Sequence, residues 1–262
     1  MNPALLLLLL VAGAARADDE QLAAFFSERG VTGTLLIQSL DGTQQFSHND
    51  ARAAEALAIA STFKILNSLI ALDTGVIAGA DSRFVWDGTQ HDVAAWNRDQ
   101  TLASAFTASC VWCYQQLALK IGAERYRQQL KALGFGQLEE PFELTTFWLD
   151  GHLRISAQQQ IAFLRQLVIG DLPFKAEHLE MVRTIMVVER GDDYLLCAKT
   201  GWALVTPQVG WYVGYVERGG ATWLFALNMA IRSPADLPLR QQLVLAGLRA
   251  KGILPPPASE GR

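Results

Sequence analysis

A serine and a lysine three residues apart are the first candidates for chemistry in this 262-residue chain. They are Ser61 and Lys64 in Ser61-Thr62-Phe63-Lys64, the only S-x-x-K sequence present. Positions i and i+3 share one face of a helix, so the lysine amine can reach the serine hydroxyl. A serine needs a base to become a nucleophile, and a lysine amine can be that base only when it is uncharged. An ordinary surface lysine is the alternative, but the apolar neighbours Ala58-Ile59-Ala60 and Ile65-Leu66 indicate burial.

A second motif, Lys199-Thr200-Gly201, follows the strand-like segment Tyr194-Leu195-Leu196-Cys197-Ala198. A strand edge that offers a cation, a hydroxyl and a glycine suits an anionic acyl substrate lying along that edge. Taken alone, K-T-G equally fits a strand that ends in a turn. An S-x-x-K helix followed late in the chain by K-T-G on a strand is, however, typical of penicillin-recognising serine enzymes.

The segment Ser109-Cys110-Val111 stands where many such enzymes carry S-x-N. Valine in place of asparagine predicts an apolar groove near Lys64. No E-x-x-x-N sequence follows that could place a deacylating carboxylate. Lys64 itself is therefore predicted to supply the base for both half-reactions.

With these motifs the sequence resembles the class D (OXA-type) serine β-lactamases over essentially the whole mature chain. The resemblance implies a β-lactam hydrolase that confers resistance and acts through an acyl-enzyme on Ser61. It implies that CO2 or bicarbonate carboxylates Lys64 to N6-carboxylysine, the general base of acylation and deacylation, and that no metal or other cofactor is needed. Thr146–Gly151 matches the family's F-W-L-x-G segment, in which the indole N–H of Trp148 would bond the carbamate. The implied walls of the carbamate pocket are Phe63, Val111, Trp148 and Leu149.

The resemblance also assigns roles to residues on either side of the cleft. Ser109 would relay a proton to the leaving nitrogen, and the backbone N–H groups of Ser61 and Trp202 would form the oxyanion hole. Arg240 would grip the substrate carboxylate, although without the family match a solvated helix residue would be favoured. The implied substrate-binding residues are Lys199, Thr200, Trp202 and Arg240.

Two segments are harder to interpret from the sequence. Trp96 resembles a family aromatic near the cleft mouth, with core packing an equal alternative. Phe135-Gly136-Gln137 replaces the family's Y-G-N, and we interpret the triplet as structural.

The elements that must position these residues follow from the chain's periodicity. Strands lie towards both ends and helices in the middle, which predicts an α/β (α+β) fold of the β-lactamase/transpeptidase type. A mainly antiparallel sheet would carry the terminal helices, an all-helical lobe would be inserted, and the active site would lie in the cleft between them. The predicted elements are helix 21–29, strand 33–39, hairpin strand 45–48, helix 62–73, a helical region over 100–180 with an N-terminal capping box at Ser156 and Gln159, strands 194–199, 209–217 and 222–229, and helix 237–251.

The predicted organisation has three parts. Residues 1–17 read as a signal peptide, because the apolar run 4–15 is too short to span a bilayer and ends near Ala15-Arg16-Ala17. Residues 18–60 and 186–262 would form the sheet-containing region, and 61–185 the mostly helical region with the nucleophile helix and an omega-type loop. We therefore expect a periplasmic protein without a membrane anchor.

The amino-acid composition limits the kinds of partner that this chain is expected to bind. A chain that is 50% hydrophobic and 18% charged is not intrinsically disordered. The net charge of −4 and the lack of a Lys/Arg cluster disfavour nucleic acid. The four histidines are scattered, so no metal site is expected. β-Lactam antibiotics are the predicted small-molecule partners, and the chain would be a monomer or homodimer.

The cysteines allow another interpretation. Cys110 and Cys113 form C-x-x-C, which fits a redox dithiol, a bond across one helical turn or, as the favoured reading, two small partly buried thiols. No sequence feature pairs Cys197. The alternative functions are a penicillin-binding sensor or transpeptidase-like domain that stays acylated, and a thiol oxidoreductase.

Overall fold

The computed structural model describes residues 18–256, which contain a large antiparallel sheet with helices on both faces. The predicted signal peptide, residues 1–17, lies outside the described residues, as do residues 257–262. No helix within residues 18–256 combines the length and apolar character needed to cross a membrane.

The α-helices of the described chain are distributed along its whole length. They are α1 (Glu20–Glu28), α2 (Asp50–Ala54), α3 (Lys64–Asp73), α4 (Leu102–Thr107), α5 (Val111–Ile121), α6 (Ala123–Leu133), α7 (Ala157–Ile169), α8 (Ala176–Ile185) and α9 (Leu239–Ala250).

The longest strands lie towards the carboxyl end. The strands are β1 (Gly33–Ser39), β2 (Gln45–His48), β3 (Leu57–Ala58), β4 (Arg83–Phe84), β5 (Gln100–Thr101), β6 (Gln137–Leu138), β7 (Leu153–Ile155), β8 (Val187–Arg190), β9 (Tyr194–Ala203), β10 (Val209–Arg218) and β11 (Ala221–Ala230).

Six of these strands form the main sheet, in the order β2-β1-β11-β10-β9-β8, with every neighbouring pair antiparallel. The β10–β11 hairpin turns on Gly219-Gly220, both at positive φ, which is the backbone that a two-residue hairpin loop requires. The two ends of the chain thus meet where β1 pairs with β11, and this antiparallel α+β arrangement confirms the predicted fold class.

The sheet separates two apolar cores because successive side chains of a strand point to opposite faces. Leu35 and Ile37 of β1 pack with α1 and α9, whereas Leu36 faces the larger core built on α3, α5 and α7. Two terminal helices therefore cover one face of the sheet, and the helices from the middle of the chain cover the other. The assignment of residues 61–185 to a separate region stays a prediction.

Local sequence signals explain several boundaries. The Asp19 side chain accepts the backbone N–H groups of Gln21 and Leu22 and so begins α1. Ser156 and Gln159 form the predicted capping box of α7. The short edge strand β8 was not predicted, because Val187–Arg190 is mostly exposed and carries no apolar alternation.

Candidate active site

The turn that carries Ser61 differs from the predicted helix in a way that favours its chemistry. Residues Ala60–Phe63 form a 3₁₀ helix, and α3 begins only at Lys64. Side chains at i and i+3 eclipse each other in a 3₁₀ helix, which brings Lys64 directly over Ser61. Lys64 Nζ lies 2.9 Å from Ser61 Oγ and donates to it. The predicted contact between nucleophile and candidate base is present.

Lys64 is fully buried, whereas Ser61 retains 8% of its exposure. Burial lowers the pKa of the Lys64 amine to about 7. Among residues 18–256 no carboxylate forms a salt bridge with Lys64, and its Nζ lies 4.9 Å from the centre of the Tyr114 ring. A large fraction of this amine is therefore neutral at neutral pH.

Two of the aromatic residues predicted to line the Lys64 pocket, Phe63 and Trp148, pack against each other. The rings of Phe63 and Trp148 lie 6.0 Å apart, and both side chains are fully buried. The indole Nε1 of Trp148 is buried and has no hydrogen-bond partner within the described chain. Buried donors are normally paired, so this N–H marks a place where an acceptor belongs. Val111, at the start of α5, and Leu149, after Trp148, are half-buried.

A second serine–lysine pair comes from distant parts of the chain. Lys199 Nζ of β9 donates to Ser109 Oγ at 2.9 Å and to the Thr200 carbonyl at 2.9 Å. Burial lowers the pKa of Lys199 well below its usual value, and the charges of Lys64 and Arg240 lower it further. Ser109 sits between α4 and α5 at φ +54°, a left-handed conformation that costs a non-glycine residue about 1–2 kcal/mol.

Strand β9 is held against the nucleophile turn by a close approach at Gly201. A Cβ added there would lie 3.2 Å from both Thr62 Cγ2 and Trp211 Cβ, so glycine lets the two elements touch. Trp211 Nε1 also donates to the carbonyl of Ala58 at 2.8 Å, which ties β10 to the strand before Ser61.

The same stretch of β9 has main-chain groups that are not paired with a neighbouring strand on one side. Within the described chain β8 pairs with β9 only through Leu195–Cys197, which leaves Lys199–Ala203 unpaired on that side. Thr200 and Trp202 are half-buried there, and the Trp202 indole donates to Gln208 Oε1 at 3.1 Å. Main-chain groups of this segment can therefore meet an extended ligand.

Arg240 lies beside this edge, not on a solvated helix face. Its Nη1 donates to the Gly201 carbonyl at 2.6 Å and its Nε to the Leu237 carbonyl at 2.7 Å. Burial lowers the pKa of Arg240 to about 10, so the guanidinium remains charged at neutral pH. The structure thus places the Ser61 turn, the α4–α5 connection, β9 and the start of α9 next to one another. These elements carry Ser61, Lys64, Ser109, Lys199, Thr200, Trp202 and Arg240, whose chemical roles stay predictions.

Comparisons with known proteins match this geometry. Residues 32–246 match the family model described as penicillin binding protein transpeptidase domain. Beta-lactamase OXA-48 of Klebsiella pneumoniae is 40% identical over 233 residues, which cover 88% of each chain. The class D β-lactamase YbXI from Nostoc superimposes with a TM-score of 0.86 at 42% identity, over 89% of this chain and 99% of its own. The class D β-lactamase FUS-1 (OXA-85) of Fusobacterium nucleatum subsp. polymorphum superimposes with a TM-score of 0.88 at 33% identity, over 91% of this chain and 100% of its own. The chain belongs to the class D β-lactamases.

This assignment confirms the resemblance and makes the protein a serine hydrolase of β-lactams that confers resistance to them. Nothing in the comparisons supports the acylated sensor or the transpeptidase-like domain better than the β-lactamase. Residues 18–256 contain no group of three His, Cys, Asp or Glu side chains placed to hold a metal ion. Whether the enzyme is a monomer or a homodimer stays a prediction.

The preference for two separate thiols at Cys110 and Cys113 was wrong, because the two residues form a disulfide. Cys110 is the N-cap of α5 and has non-helical backbone angles, so its sulfur turns back over the first turn towards Cys113. Both residues are fully buried, which speaks against a reactive dithiol. Cys197 is a buried free cysteine.

The structure shows the contacts of Trp96 and of Phe135-Gly136-Gln137, the two segments that were hard to interpret from the sequence. The Trp96 indole donates to the carbonyl of Ala108, the residue before Ser109, at 2.8 Å. Phe135 packs in the core with its ring 4.8 Å from that of Phe163. A Cβ at Gly136 would lie 2.5 Å from the Arg154 carbonyl, which agrees with a structural triplet.

Sequence reasoning missed three buried residues of this class D β-lactamase that support the site. Gln160 Nε2 of α7 donates to Thr62 Oγ1 at 2.9 Å, Trp211 holds Ala58, and Tyr114 covers Lys64. Tyr114 and Trp211 lie in mainly apolar segments that look like ordinary core, and Gln160 is one of three consecutive glutamines, Gln158–Gln160. No signal in the sequence distinguished them.

Proposed function

We propose that this enzyme opens β-lactam rings through an acyl-enzyme on Ser61 and that Lys64 works as a carboxylated lysine. The observation that carries the proposal is the fully buried Lys64 amine, 2.9 Å from the Ser61 hydroxyl and without a carboxylate partner in the described chain. An uncharged nitrogen is required both for a base and for addition of CO2.

The surroundings of Lys64 fit a carbamate. Carboxylation would turn the end of this side chain into an anion, and the unpaired buried N–H of Trp148 is a donor without an acceptor. The rings of Phe63, the residue before Lys64, and Trp148 are fully buried and lie 6.0 Å apart. A carbamate held there would supply the general base of both half-reactions, and its only source would be dissolved CO2 or bicarbonate.

In acylation the bond from Ser61 Oγ to the lactam carbonyl carbon forms, and the bond from that carbon to the ring nitrogen breaks. The backbone N–H groups of Ser61 and Trp202 would stabilise the negative charge on the carbonyl oxygen. The carbamate would take the Ser61 proton, and Ser109 would pass its hydroxyl proton to the leaving nitrogen. Lys199, which donates to Ser109 Oγ, would replace that proton. Lys199 would regain a proton from the solvent, to which the carbamate would release the Ser61 proton. In deacylation a water attacks the ester carbon and Ser61 Oγ leaves.

Substrate binding would use the open edge of β9 and the basic side chains beside it. Thr200 offers a hydroxyl, Lys199 offers N–H donors, and Arg240 offers positive charge near the carboxylate that penicillins carry. Two N–H groups of Arg240 bond the Leu237 and Gly201 carbonyls, which fixes the plane of the guanidinium. A planar donor held in this way can bind a carboxylate with two hydrogen bonds.

The test is hydrolysis of a simple penicillin by the mature protein, with CO2 removed and with bicarbonate added. We expect turnover that rises with bicarbonate and saturates. A single stoichiometric burst that ignores bicarbonate would contradict the proposal and indicate a sensor that stays acylated. Rapid turnover without CO2 would agree with β-lactam hydrolysis but would contradict the proposed carbamate on Lys64.

We also propose export to the periplasm. The apolar run at residues 4–15 and the A-x-A site at Ala15-Arg16-Ala17 support a cleaved signal peptide. Mass spectrometry of the protein recovered from a periplasmic extract should show a mature chain that begins at Asp18. An uncleaved chain recovered with the cytoplasm would contradict this proposal.

A further inference from the structure

The connection between α4 and α5 carries Ser109 in a conformation that it does not favour by itself. We call residues Ala108–Cys110 the Ser109 turn. Ser109 has φ +54°, a left-handed value that few non-glycine residues adopt. Such a backbone persists only where its surroundings over-determine it. The contacts that hold this turn are therefore part of what places the Ser109 hydroxyl beside Lys199.

One set of contacts comes from Trp96, which lies in a short 3₁₀ segment, Ala94–Trp96. Its indole N–H donates to the Ala108 carbonyl at 2.8 Å, directly before Ser109. Its own carbonyl accepts the indole N–H of Trp112 at 3.0 Å, three residues after Ser109. Trp96 thus bonds to the chain on both sides of Ser109.

A covalent bond closes the same turn on its far side. Cys110, next to Ser109, is joined to Cys113 in the first turn of α5. The backbone N–H of Cys110 also donates to the Ala105 carbonyl at 2.8 Å, and that of Ser109 to the Phe106 carbonyl at 3.1 Å. Since both sulfurs are buried, this disulfide acts as a fixed link within the turn.

We propose that Trp96 and the Cys110–Cys113 disulfide are positioning elements for Ser109, which clamp the Ser109 turn so that its hydroxyl faces the leaving nitrogen. The inference rests on the proton-relay role proposed above for Ser109. It predicts that loosening either clamp slows acylation and leaves the Lys64 pocket, and with it deacylation, unchanged.

The experiment measures acylation and deacylation rate constants with a penicillin under single-turnover conditions at saturating bicarbonate. Trp96→Phe keeps an aromatic ring and removes the N–H to Ala108. Because misplacement of a reacting group by about 1 Å can cost about 10²-fold, we expect acylation to fall by about tenfold. Deacylation should stay within about twofold of the wild-type value.

The matched control is Trp86→Phe. The Trp86 indole also donates to a nearby carbonyl, that of Thr89, in the same connection between β4 and β5. Within residues 18–256, Trp86 itself makes no hydrogen bond to the Ser109 turn. Its acylation rate should equal that of the wild-type enzyme. Cys110→Ala combined with Cys113→Ala tests the second clamp, with Cys197→Ala as the control for loss of a buried cysteine. If the double variant does not fold, Trp96→Phe still decides the proposal.

A double-mutant cycle separates this inference from the proposed function. If Trp96 acts through Ser109, Trp96→Phe should change acylation by less than about twofold in a Ser109→Ala background. An equal loss in both backgrounds would overturn the inference, because Trp96 would then act on the substrate or on the whole site. Unchanged acylation by Trp96→Phe in the wild-type enzyme would overturn it as well. Unchanged acylation by Ser109→Ala alone would instead refute the proton-relay role on which the inference depends.

Discussion

The candidate active site contains two serine–lysine pairs that have the same nitrogen–oxygen distance but arise in different ways. Ser61 and Lys64 are three residues apart on one turn and lie 2.9 Å from each other. Ser109 and Lys199 are ninety residues apart, on a helix connection and a strand, and also lie 2.9 Å apart. Local helix geometry produces the first pair, whereas the second exists only because β9 packs beside the Ser109 turn.

The two lysines also differ in what their nitrogens meet. Lys64 has the Ser61 hydroxyl and the face of Tyr114, and burial alone lowers its pKa to about 7. Lys199 meets three oxygens, from Ser109, the Thr200 carbonyl and the Thr200 hydroxyl, which match the three donors of an ammonium group. Burial lowers the pKa of Lys199 as well, and the charges of Lys64 and Arg240 lower it further. The local pair, Ser61 and Lys64, and the assembled pair, Ser109 and Lys199, therefore differ in the oxygens around each nitrogen and not in the direction of the pKa shift.

Removing the lysine of the local pair should give the largest effect. Lys64→Ala deletes the proposed base of both half-reactions, and general-base catalysis contributes about 10²–10⁴-fold per step. Penicillin turnover should fall by about 10³-fold or more, with any acyl-enzyme trapped and visible by intact-protein mass spectrometry. Lys120→Ala, at an exposed position of α5, is the control. Full turnover by Lys64→Ala would show that the base lies elsewhere.

Breaking the pair of Ser109 and Lys199 should slow acylation only. Ser109→Ala removes the proposed donor to the leaving nitrogen, so acylation should slow by about 10²-fold while deacylation stays near the wild-type rate. Stopped-flow measurement of both steps checks this, with the exposed Ser27→Ala as the control. Equal losses in both steps would mean that the two pairs do not divide the chemistry.

The proposed carbamate pocket at Lys64 can be tested by removing the Trp148 N–H, which has no hydrogen-bond partner within the described chain. Trp148→Phe removes the buried N–H, and a hydrogen bond to a charged acceptor contributes about 1.5–3 kcal/mol. The CO2 concentration for half-maximal activity should therefore rise by about 10- to 100-fold, with activity restored at high bicarbonate.

Trp211→Phe is the matched control for that variant. It removes the same atoms from another fully buried ring, but it breaks the bond from Nε1 to the Ala58 carbonyl. We expect it to lower the free energy of unfolding by about 1–3 kcal/mol without changing the CO2 dependence. If both variants shift that dependence equally, the Trp148 N–H has no special part in holding the carbamate.

The smallest effect should come from pH. Burial lowers the pKa of Lys64 to about 7, so the amine is mostly neutral above that pH and protonated below it. At pH 6 the neutral fraction should be about tenfold smaller than at high pH, and the dissolved CO2 needed for half-maximal activity should rise by a similar factor. Penicillin assays at fixed dissolved CO2 from pH 6 to 8 measure this directly. A flat CO2 requirement across that range would contradict the neutral-amine interpretation of Lys64.

The features predicted correctly are those with a short-range cause. The capping box at Ser156 and Gln159 and the hairpin at Gly219-Gly220 depend on a few neighbouring residues. The approximate limits of β10, β11 and α9 followed from their apolar patterns. The family resemblance placed Lys199 and Arg240 in the site, which spacing alone could not do.

The features that were missed depend on long-range packing. The bond from Gln160 to Thr62 joins residues 98 apart, and the bond from Trp211 to Ala58 spans 153 residues. The left-handed backbone of Ser109 and the Cys110–Cys113 disulfide are local in sequence. Their conformation is nevertheless set by the junction of α4 with α5 and by the indole of Trp96.

The sequence by itself determined the proximity of Ser61 and Lys64, because three residues of a tight helix leave little freedom between them. The apolar neighbours of Lys64 indicated that it is buried, but only the tertiary structure decided that this burial is complete and that Ser109 would meet Lys199. Burial, and with it the lowered pKa of Lys64, depends on side chains from separate elements, among them Tyr114 of α5. No short stretch of the chain contains enough of these contacts to establish either property.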